Sequence, residues 1–315
     1  MGIRESNVNF ERALKYTDMV PLLEKSKKRW TGELVKEELE KLKKDLGGIS
    51  YAIGDYGSVI KKGLKLSNIK HIHDVTHKIA LIVEKLYKKD ERYIEFTQNM
   101  SKMRLKLSQS DIAHIIPPKQ RKKSRFQNIN IISDYGMKIL KMLKKQEKIE
   151  KIREKSNWVK EYKEFIEELS LINNSTLKIQ KILKKQSFSI KTVSKCKYIL
   201  EKLKSEKGKE FSKQMNSYFE EVLELMPDKE KLICTSDIIE SNFGKYKNYI
   251  SDNSMAGITN LVLCIPAFTL KLTKEEIKEA LEKTKMIDIE NWTKENIGST
   301  LLKRRRDALG TQKVA

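Results

Sequence analysis

The sequence has few cysteines and no long hydrophobic run, and each shortage excludes a class of protein. The three cysteines, Cys196, Cys234 and Cys264, form no C-x-x-C pair, which argues against a structural zinc site and fits reduced thiols. The most apolar stretch, residues 258–270, is shorter than the roughly 20 residues of a membrane span and contains Pro266. The N-terminal residues do not resemble a secretory signal. We therefore expect a cytoplasmic protein that is not embedded in a membrane.

Acidic residues are scarce relative to basic ones. The 315 residues include 65 Lys and Arg against 43 Asp and Glu, a formal net charge of +22. This surplus indicates a polyanionic partner, such as DNA, RNA or an anionic membrane surface, and binding to nucleic acid would depend steeply on salt. The alternative is compositional, because genomes rich in A and T favour lysine codons. Hydrophobic residues at 39% fit a folded, helix-rich chain.

The first 89 residues alternate between helix and strand patterns. Residues 31–46 have apolar positions near a 3.6-residue period, and Gly47 and Gly48 end that helix. Short β-branched and aromatic segments at 49–55 and 69–74 predict strands, each followed by a helix. These patterns predict an α/β unit in which Asp55 ends a strand, the place where open α/β sheets bind ligands.

From residue 90 onward the strand patterns almost disappear. Helices are predicted at 91–107, 135–148, 158–171, 177–186, 195–204 and 211–225, with a break at the polar residues 173–175. A further helix contains Glu240, and Thr273 and Glu276 form a capping box for another. The fold class is therefore α/β but mostly helical, in three parts: 1–89, an all-helical 90–232, and 233–315.

Two acids are candidate metal ligands, Asp55 in Y-A-I-G-D-Y-G and Glu240 in T-S-D-I-I-E-S-N-F-G-K-Y-K. Metal-dependent phosphoryl transfer needs carboxylates that converge on one or two divalent cations. Each acid also has a purely structural interpretation. D-Y-G is good turn chemistry, and the spacing from Asp237 to Glu240 is that of a capping box.

Three of the four histidines lie in the segment H-I-H-D-V-T-H, as His71, His73 and His77 with Asp74 among them. These groups suit a zinc or manganese site. On a strand, however, His71 and His73 share one face and Asp74 faces away, so a site made of all four requires a bend at Val75. The geometry favours the alternative, a strand end with one buried and hydrogen-bonded histidine.

Two basic clusters are candidates for phosphate contact. The first follows Pro117 and Pro118, which prevent a helix, and its basic residues are Lys119, Arg121, Lys122, Lys123 and Arg125. The second, residues 303–306, is equally well explained as a helix end or tail. Both have the alternative of ordinary solvated charge. The rigid proline pair and the neighbouring Gln and Ser favour phosphate contact for the first.

In their order along the chain, these features resemble the bacterial insertion-sequence transposases of the D-D-E type, including the branch related to mutator-like elements. The shared features are Asp55 in D-x-G, the later D-V-T-H, a long helical block and the Glu240 motif, together spanning about residues 2–306. The resemblance implies a ribonuclease-H-like core interrupted by an all-α insertion. It implies that Asp55 is the second catalytic acid and Glu240 the third, and that both bind Mg²⁺ or Mn²⁺ during cleavage and transfer of DNA strands.

The resemblance also implies roles for residues around the two acids. Asp74 and His77 match the supporting pair that follows the second acid, often C-x-x-H, and Asn242 matches a polar residue after the third. Lys245 and Lys247 match basic residues that contact DNA. The implied partners are the element ends and target DNA, on which homo-oligomers can form.

One departure from the family pattern affects activity. No residue before Asp55 fits the first catalytic aspartate, since Asp18 is the only acid near a possible strand and its surroundings are wrong. We therefore expect a truncated and catalytically impaired copy that lacks the first core strand, with residues 1–6 as the tail of a strand. The alternatives are a non-catalytic helical nucleic-acid-binding protein and a metal-binding protein or hydrolase built on the histidine segment.

Overall fold

The computed structural model describes residues 1–22, 29–120, 126, 129–144, 150–225, 230–249, 259–299 and 301–309. These residues are mostly helical and contain one small parallel sheet of two strands. In chain order the elements are α1 (Gly32–Leu46), β1 (Ala52–Gly54), α2 (Ser58–Leu66), β2 (His71–His73), α3 (Val75–Tyr87), α4 (Glu91–Leu107), α5 (Ile129–Lys144), α6 (Glu150–Ser156), α7 (Lys163–Gln186), α8 (Ile190–Leu200), α9 (Glu206–Glu224), α10 (Asp237–Tyr249), α11 (Lys274–Lys283), α12 (Met286–Asn296) and α13 (Leu301–Leu309).

The chain divides into two compact units. The core unit consists of Ser50–Gly57 and Ile69–Thr235, and the flanking unit consists of Met1–Ile49, Ser58–Asn68 and Ser236–Ala315. The core unit therefore contains both strands and α3 to α9, and the flanking unit contains α1, α2 and α10 to α13. The three-part division expected along the chain remains a prediction.

A continuous hydrophobic core fills the core unit. Phe96 is completely buried, and its ring lies 5.5 Å from that of Trp158 and 5.6 Å from that of Phe165, measured between centroids. Gly136 lets α5 approach α7, because a β-carbon added there would lie 2.9 Å from the side chain of Ile166. Such dense packing of large apolar groups is the main source of stability in a helical unit.

Helix ends and close backbone contacts define the flanking unit. Thr31 accepts a hydrogen bond from the amide of Leu34 at the start of α1, and Gly47 ends the helix with φ of 74°. Helices α1 and α2 pack closely at Gly63, where an added β-carbon would lie 2.3 Å from the side chain of Val35. Thr273 forms the expected capping box with Glu276 at the start of α11.

Most predicted helices are present, and the mostly helical fold class is confirmed. The bounds of α4 agree with the prediction, but the predicted break at residues 173–175 is wrong, because α7 continues through it. Asn173 and Ser175 are buried there, and the Thr176 hydroxyl donates to the carbonyl of Asn173 at 2.7 Å. Tertiary packing therefore outweighs the weak helix propensity of these residues.

The N-terminal residues do not form a strand of a sheet. Gly2 makes only an isolated antiparallel bridge with Val20, and a short 3₁₀-helix follows at Glu5–Asn7. Within the described ranges the sheet contains only β1 and β2, and the expected ribonuclease-H-like core is not confirmed. None of the described helices combines the length and apolar character needed to cross a bilayer.

Candidate functional site

Two acids follow the ends of the paired parallel strands. Gly54 of β1 is opposite His73 of β2, and Asp55 and Asp74 are the next residues on each strand. The amide of Asp74 donates to the carbonyl of Gly54 at 2.8 Å, which extends the pairing to the strand ends. Neighbouring parallel strands lie about 4.8 Å apart, so the two aspartate backbones are close together.

Asp55 has an exposed side chain and also stabilises a turn. Its Oδ1 accepts a hydrogen bond from the amide of Gly57 at 2.9 Å. A β-carbon at Gly57 would lie 2.9 Å from the same oxygen, so a larger residue there would displace the Asp55 side chain from this hydrogen bond. The turn interpretation of D-Y-G is therefore confirmed. It leaves a carboxylate exposed at the C-terminal end of a strand, and this carboxylate has the chemistry of a Mg²⁺ ligand.

Asp74 and His77 form a structural pair. Asp74 is only 1% exposed, and its Oδ1 accepts a hydrogen bond from the amide of His77 at 2.9 Å. The Nδ1 atom of His77 lies 3.3 Å from the same oxygen. Asp74 is thus the N-cap of α3, a position that favours an oxygen acceptor. Through this cap the pair fixes the start of α3 immediately beside the strand ends, consistent with a supporting role.

The histidine segment is organised by ring stacking. The rings of His73 and Tyr56 are stacked with centroids 3.7 Å apart, and His71 lies 4.4 Å from His73. Tyr218 donates its hydroxyl to the carbonyl of His73 at 2.8 Å. Burial, followed by the nearby carboxylates of Glu221 and Asp74, raises the pKa of Tyr56 above its usual range.

These contacts bear on the alternative of a metal site built from histidines. His71, His73, Asp74 and His77 all lie in the part of the chain that the structure describes. Within that part, no group of three or more His, Cys, Asp or Glu side chains is arranged to hold a metal ion. The rings of Tyr56, His71 and His73 pack together at the strand end, where His71 and His73 are both half-buried and one buried histidine was expected.

Glu240 lies on α10, for which the sequence spacing suggested a capping box. The helix begins at Asp237, and the amide of Ile239 donates to the carbonyl of Ser236 at 2.8 Å, so the N-cap position falls on Ser236. Glu240 is exposed in the first turn of α10, and both the capping role and the catalytic role remain predictions.

The residues after Glu240 differ in their surroundings. Asn242 is 1% exposed, and its side-chain amide donates to the sulfur of Met1 at 3.5 Å. Lys245 is half-buried, with its Nζ 3.4 Å from the centroid of the Tyr16 ring, whereas Lys247 is exposed. Asn242 is therefore a packing residue, and Lys247 presents its charge to solvent.

The basic loop is described only at its start. Arg104 donates to the carbonyl of Pro117 at 2.5 Å, and Gln120 donates to the carbonyl of Thr97 at 2.7 Å, so α4 holds the loop on both sides of the exposed Lys119. The other predicted phosphate contacts lie outside the described residues: Arg121, Lys122, Lys123 and Arg125. Their role remains a prediction.

The predicted site residues are divided between the two units. The core unit contains Asp55, Asp74, His77 and Lys119, and the flanking unit contains Glu240, Asn242, Lys245 and Lys247. A metal site shared by Asp55 and Glu240 therefore requires the two units to meet at these residues, and it remains a prediction.

One feature of the flanking unit was missed by sequence reasoning. A basic cleft is lined by residues from three separate segments, including Lys15 and Tyr16, Ile238 of α10, and Phe268 and Lys271. The N-terminal segment and α10 are more than 200 residues apart along the chain. Residue spacing therefore gives no signal for the basic cleft.

The chain matches no family model, no curated protein and no solved structure. Function is therefore argued from the chemistry of the residues and from the order of the motifs along the chain.

Proposed function

We propose that this chain is a DNA transposase of the D-D-E type, acting in metal-dependent cleavage and transfer of DNA strands. The observation that carries the proposal is the exposed carboxylate of Asp55, directly after a parallel strand and beside the capped start of α3. In α/β proteins this end of the strands is where ligands bind. The proposal includes the finer fold assignment, an incomplete ribonuclease-H-like core interrupted by the helices α4 to α9.

Glu240 is the second acid of the proposed site. Its side chain is exposed on α10, and a carboxylate is the kind of ligand that a hard cation binds. Asp55 and Glu240 would hold Mg²⁺ or Mn²⁺, which activates a water or hydroxyl nucleophile and stabilises the leaving oxygen when bound. Lys119 and Lys247, both exposed, would contact DNA phosphates.

The proposed site has two identified acids where the family pattern has three. Asp18 does not supply the missing acid, because it is buried and its two oxygens accept hydrogen bonds from Arg12 at 2.7 and 2.8 Å. A site short of one carboxylate binds its cation weakly and orients it poorly. We therefore propose that this chain alone binds DNA but performs little or no strand transfer.

The experiment measures Mn²⁺ binding by calorimetry together with strand cleavage and joining on supercoiled DNA. We expect Asp55→Asn and Glu240→Gln each to weaken Mn²⁺ binding at least tenfold, because each removes one of two anionic ligands. Asp134→Asn is the matched control, since Asp134 occurs in the similar sequence I-S-D-Y-G but is exposed on α5. Mn²⁺ binding that is equal in all three variants would contradict the metal role, and robust strand transfer by this chain would contradict its impairment.

The second candidate is a helical nucleic-acid-binding protein without catalysis. It is favoured by the fact that Asp55 and Asp74 both have local structural roles, in a turn and in a helix cap. Both candidates predict DNA binding that weakens steeply with salt, because lysine and arginine contacts displace counterions. Only the first predicts that the Mn²⁺ affinity depends on Asp55 and Glu240.

A further inference from the structure

The basic cleft lies wholly within the flanking unit and has a volume of about 720 Å³. Residues 12–17, α10 and the segment from the 3₁₀-helix Pro266–Thr269 to Lys271 form its walls. An open cleft of this volume is large enough to hold part of a ligand.

One buried ion pair shapes the N-terminal wall. Asp18 accepts hydrogen bonds from the guanidinium group of Arg12 and from the amide of Lys15, the latter at 2.7 Å. These bonds hold the 3₁₀-helix Tyr16–Asp18, and the Tyr16 hydroxyl then lies 2.6 Å from the hydroxyl of Ser241 on α10. The wall is thus built by contacts that fix Tyr16 against α10.

The charge of the cleft is positive. Among the described residues, those that line the cleft include no carboxylate, and the nearby Asp18 is engaged by Arg12. The lining contains the positive charges of Lys15 and Lys271, and Lys245 lies beside it, close to the rings of Tyr16 and Phe268. A phosphate group is the kind of anion that such a set of ammonium groups attracts.

Aromatic rings accompany these charges. The Nζ atom of Lys245 lies 3.4 Å from the centroid of the Tyr16 ring and 5.8 Å from that of Phe268. Phe268 is half-buried and lines the cleft. A basic groove with aromatic rings is the arrangement by which proteins bind single-stranded nucleic acid, with phosphates on the cations and bases stacked on the rings.

We propose that the basic cleft binds one nucleotide of single-stranded DNA, with its phosphate at Lys15, Lys245 and Lys271 and its base against Phe268. The choice of DNA rests on the proposed function, in which strands are cut and transferred. A single strand is required because a base in a duplex is already stacked on both faces and offers no face to Phe268.

The first test measures the affinity of a fluorescent octathymidylate by anisotropy across a range of salt concentrations. The double variant Lys15→Gln/Lys271→Gln should bind about tenfold more weakly, and its salt slope should fall by up to about 0.7, the value for one phosphate of a single strand that is no longer neutralised. The matched control is Lys41→Gln/Lys44→Gln, which removes the same charge from exposed positions on α1 of the same unit. An equal loss in both double variants would overturn the phosphate site.

The second test probes stacking with an oligonucleotide that carries 2-aminopurine, whose fluorescence is quenched when it stacks. Phe268→Leu keeps an apolar side chain of similar size, removes the ring, and should abolish the quenching and weaken binding about tenfold. Phe243→Leu is the matched control and should leave the quenching unchanged, because Phe243 is an exposed ring on α10 that does not line the cleft. Unchanged quenching in Phe268→Leu, or no binding of single strands by the unmodified chain, would overturn the proposal.

The two proposals fail separately in these experiments. Asp55→Asn and Glu240→Gln should leave octathymidylate binding unchanged, because neither acid lines the cleft. If Mn²⁺ binding does not depend on the two acids but octathymidylate binding does depend on the cleft lysines, the transposase assignment is wrong and the nucleotide site remains. The reverse result would remove the nucleotide site alone.

Discussion

The core unit and the flanking unit are stabilised in different ways. The continuous cluster of buried hydrophobic residues lies entirely in the core unit. In the flanking unit, α11 and α12 contain no buried residue, and the contacts include helix caps, ion pairs, one close helix pair and a lysine against an aromatic ring. The comparison contrasts a unit with a large continuous hydrophobic core with a unit that relies more on polar and local contacts. Substitutions should therefore affect the two units by different mechanisms.

The largest effect is expected from emptying the centre of the core unit. Phe96→Ala removes a ring that is 0% exposed and contacts Trp158, which should lower the free energy of unfolding of the core unit by about 3–5 kcal/mol. Urea unfolding followed by tryptophan fluorescence, with hydrogen exchange to assign the unit, measures it. Leu105→Ala on the same helix is the control, because Leu105 is 78% exposed and should change stability by less than about 0.5 kcal/mol. Similar losses in both variants would remove the distinction between packed and surface positions.

The next largest effect is expected in the flanking unit. Gly63→Ala places a β-carbon 2.3 Å from the side chain of Val35 and 3.1 Å from the carbonyl oxygen of Gly32, so α1 and α2 must separate. We expect a loss of about 1–3 kcal/mol, seen as faster hydrogen exchange in α1 and α2 only. Gly47→Ala is a useful second variant, because it strains the left-handed end of α1 without touching α2. Faster exchange throughout the core unit would show that the two units unfold together.

A smaller effect distinguishes packing from capping within the core unit. Asp74→Ala removes the N-cap of α3 and should lower stability by about 1–2 kcal/mol, measured by urea unfolding. Asp74→Asn keeps an oxygen acceptor and should recover most of that loss. If Asp74→Asn is as unstable as Asp74→Ala, the negative charge beside His77 matters more than the cap.

The smallest effect concerns pH and the wall of the basic cleft. The hydrogen bond from Arg12 lowers the pKa of Asp18, so this acid stabilises the flanking unit above the unfolded pKa of about 4 and loses that contribution as pH falls through the folded value. We expect Asp18→Asn to melt at a lower temperature than the unmodified chain at pH 7, with the gap closing as the pH falls through the lowered pKa of folded Asp18. Asp45→Asn, at an exposed position of α1, should show no such gap. A gap that persists at low pH would contradict the electrostatic explanation.

Local patterns predicted much of the helical structure. The start and end of α1 could be predicted because Thr31 and Gly47 are strong local signals, and α4 because its apolar period is regular. The break predicted at Asn173 failed because burial against other helices decides that segment. Helix propensity reflects a residue and its neighbours in sequence, whereas packing also depends on residues that are distant along the chain. Prediction from local sequence therefore misses the effect of packing.

The similar sequences I-G-D-Y-G and I-S-D-Y-G show that local sequence alone does not determine the structure around a candidate site residue. In the first, Asp55 ends a strand and accepts a hydrogen bond from Gly57. In the second, Asp134 is inside α5, Tyr135 donates to the carbonyl of Ile115, and the next glycine packs on Ile166. Asp55 was a candidate site residue because the sequence predicts a strand before it, and β1 is that strand. The cleft around Phe268 had no comparable signal, because its walls come from opposite ends of the chain.

The short segment after α9 also determines when the core unit can finish folding during synthesis. Leu232 forms an antiparallel bridge with Phe188, the amide of Ile233 donates to the Tyr51 hydroxyl, and the carbonyl of Cys234 accepts from the amide of Val75. The strands and the start of α3 therefore lack these partners until residue 234 has left the ribosome. Because contacts of long sequence separation form slowly, we expect the helices α3 to α9 to assemble before residues 232–234 make their contacts with Tyr51 and Val75.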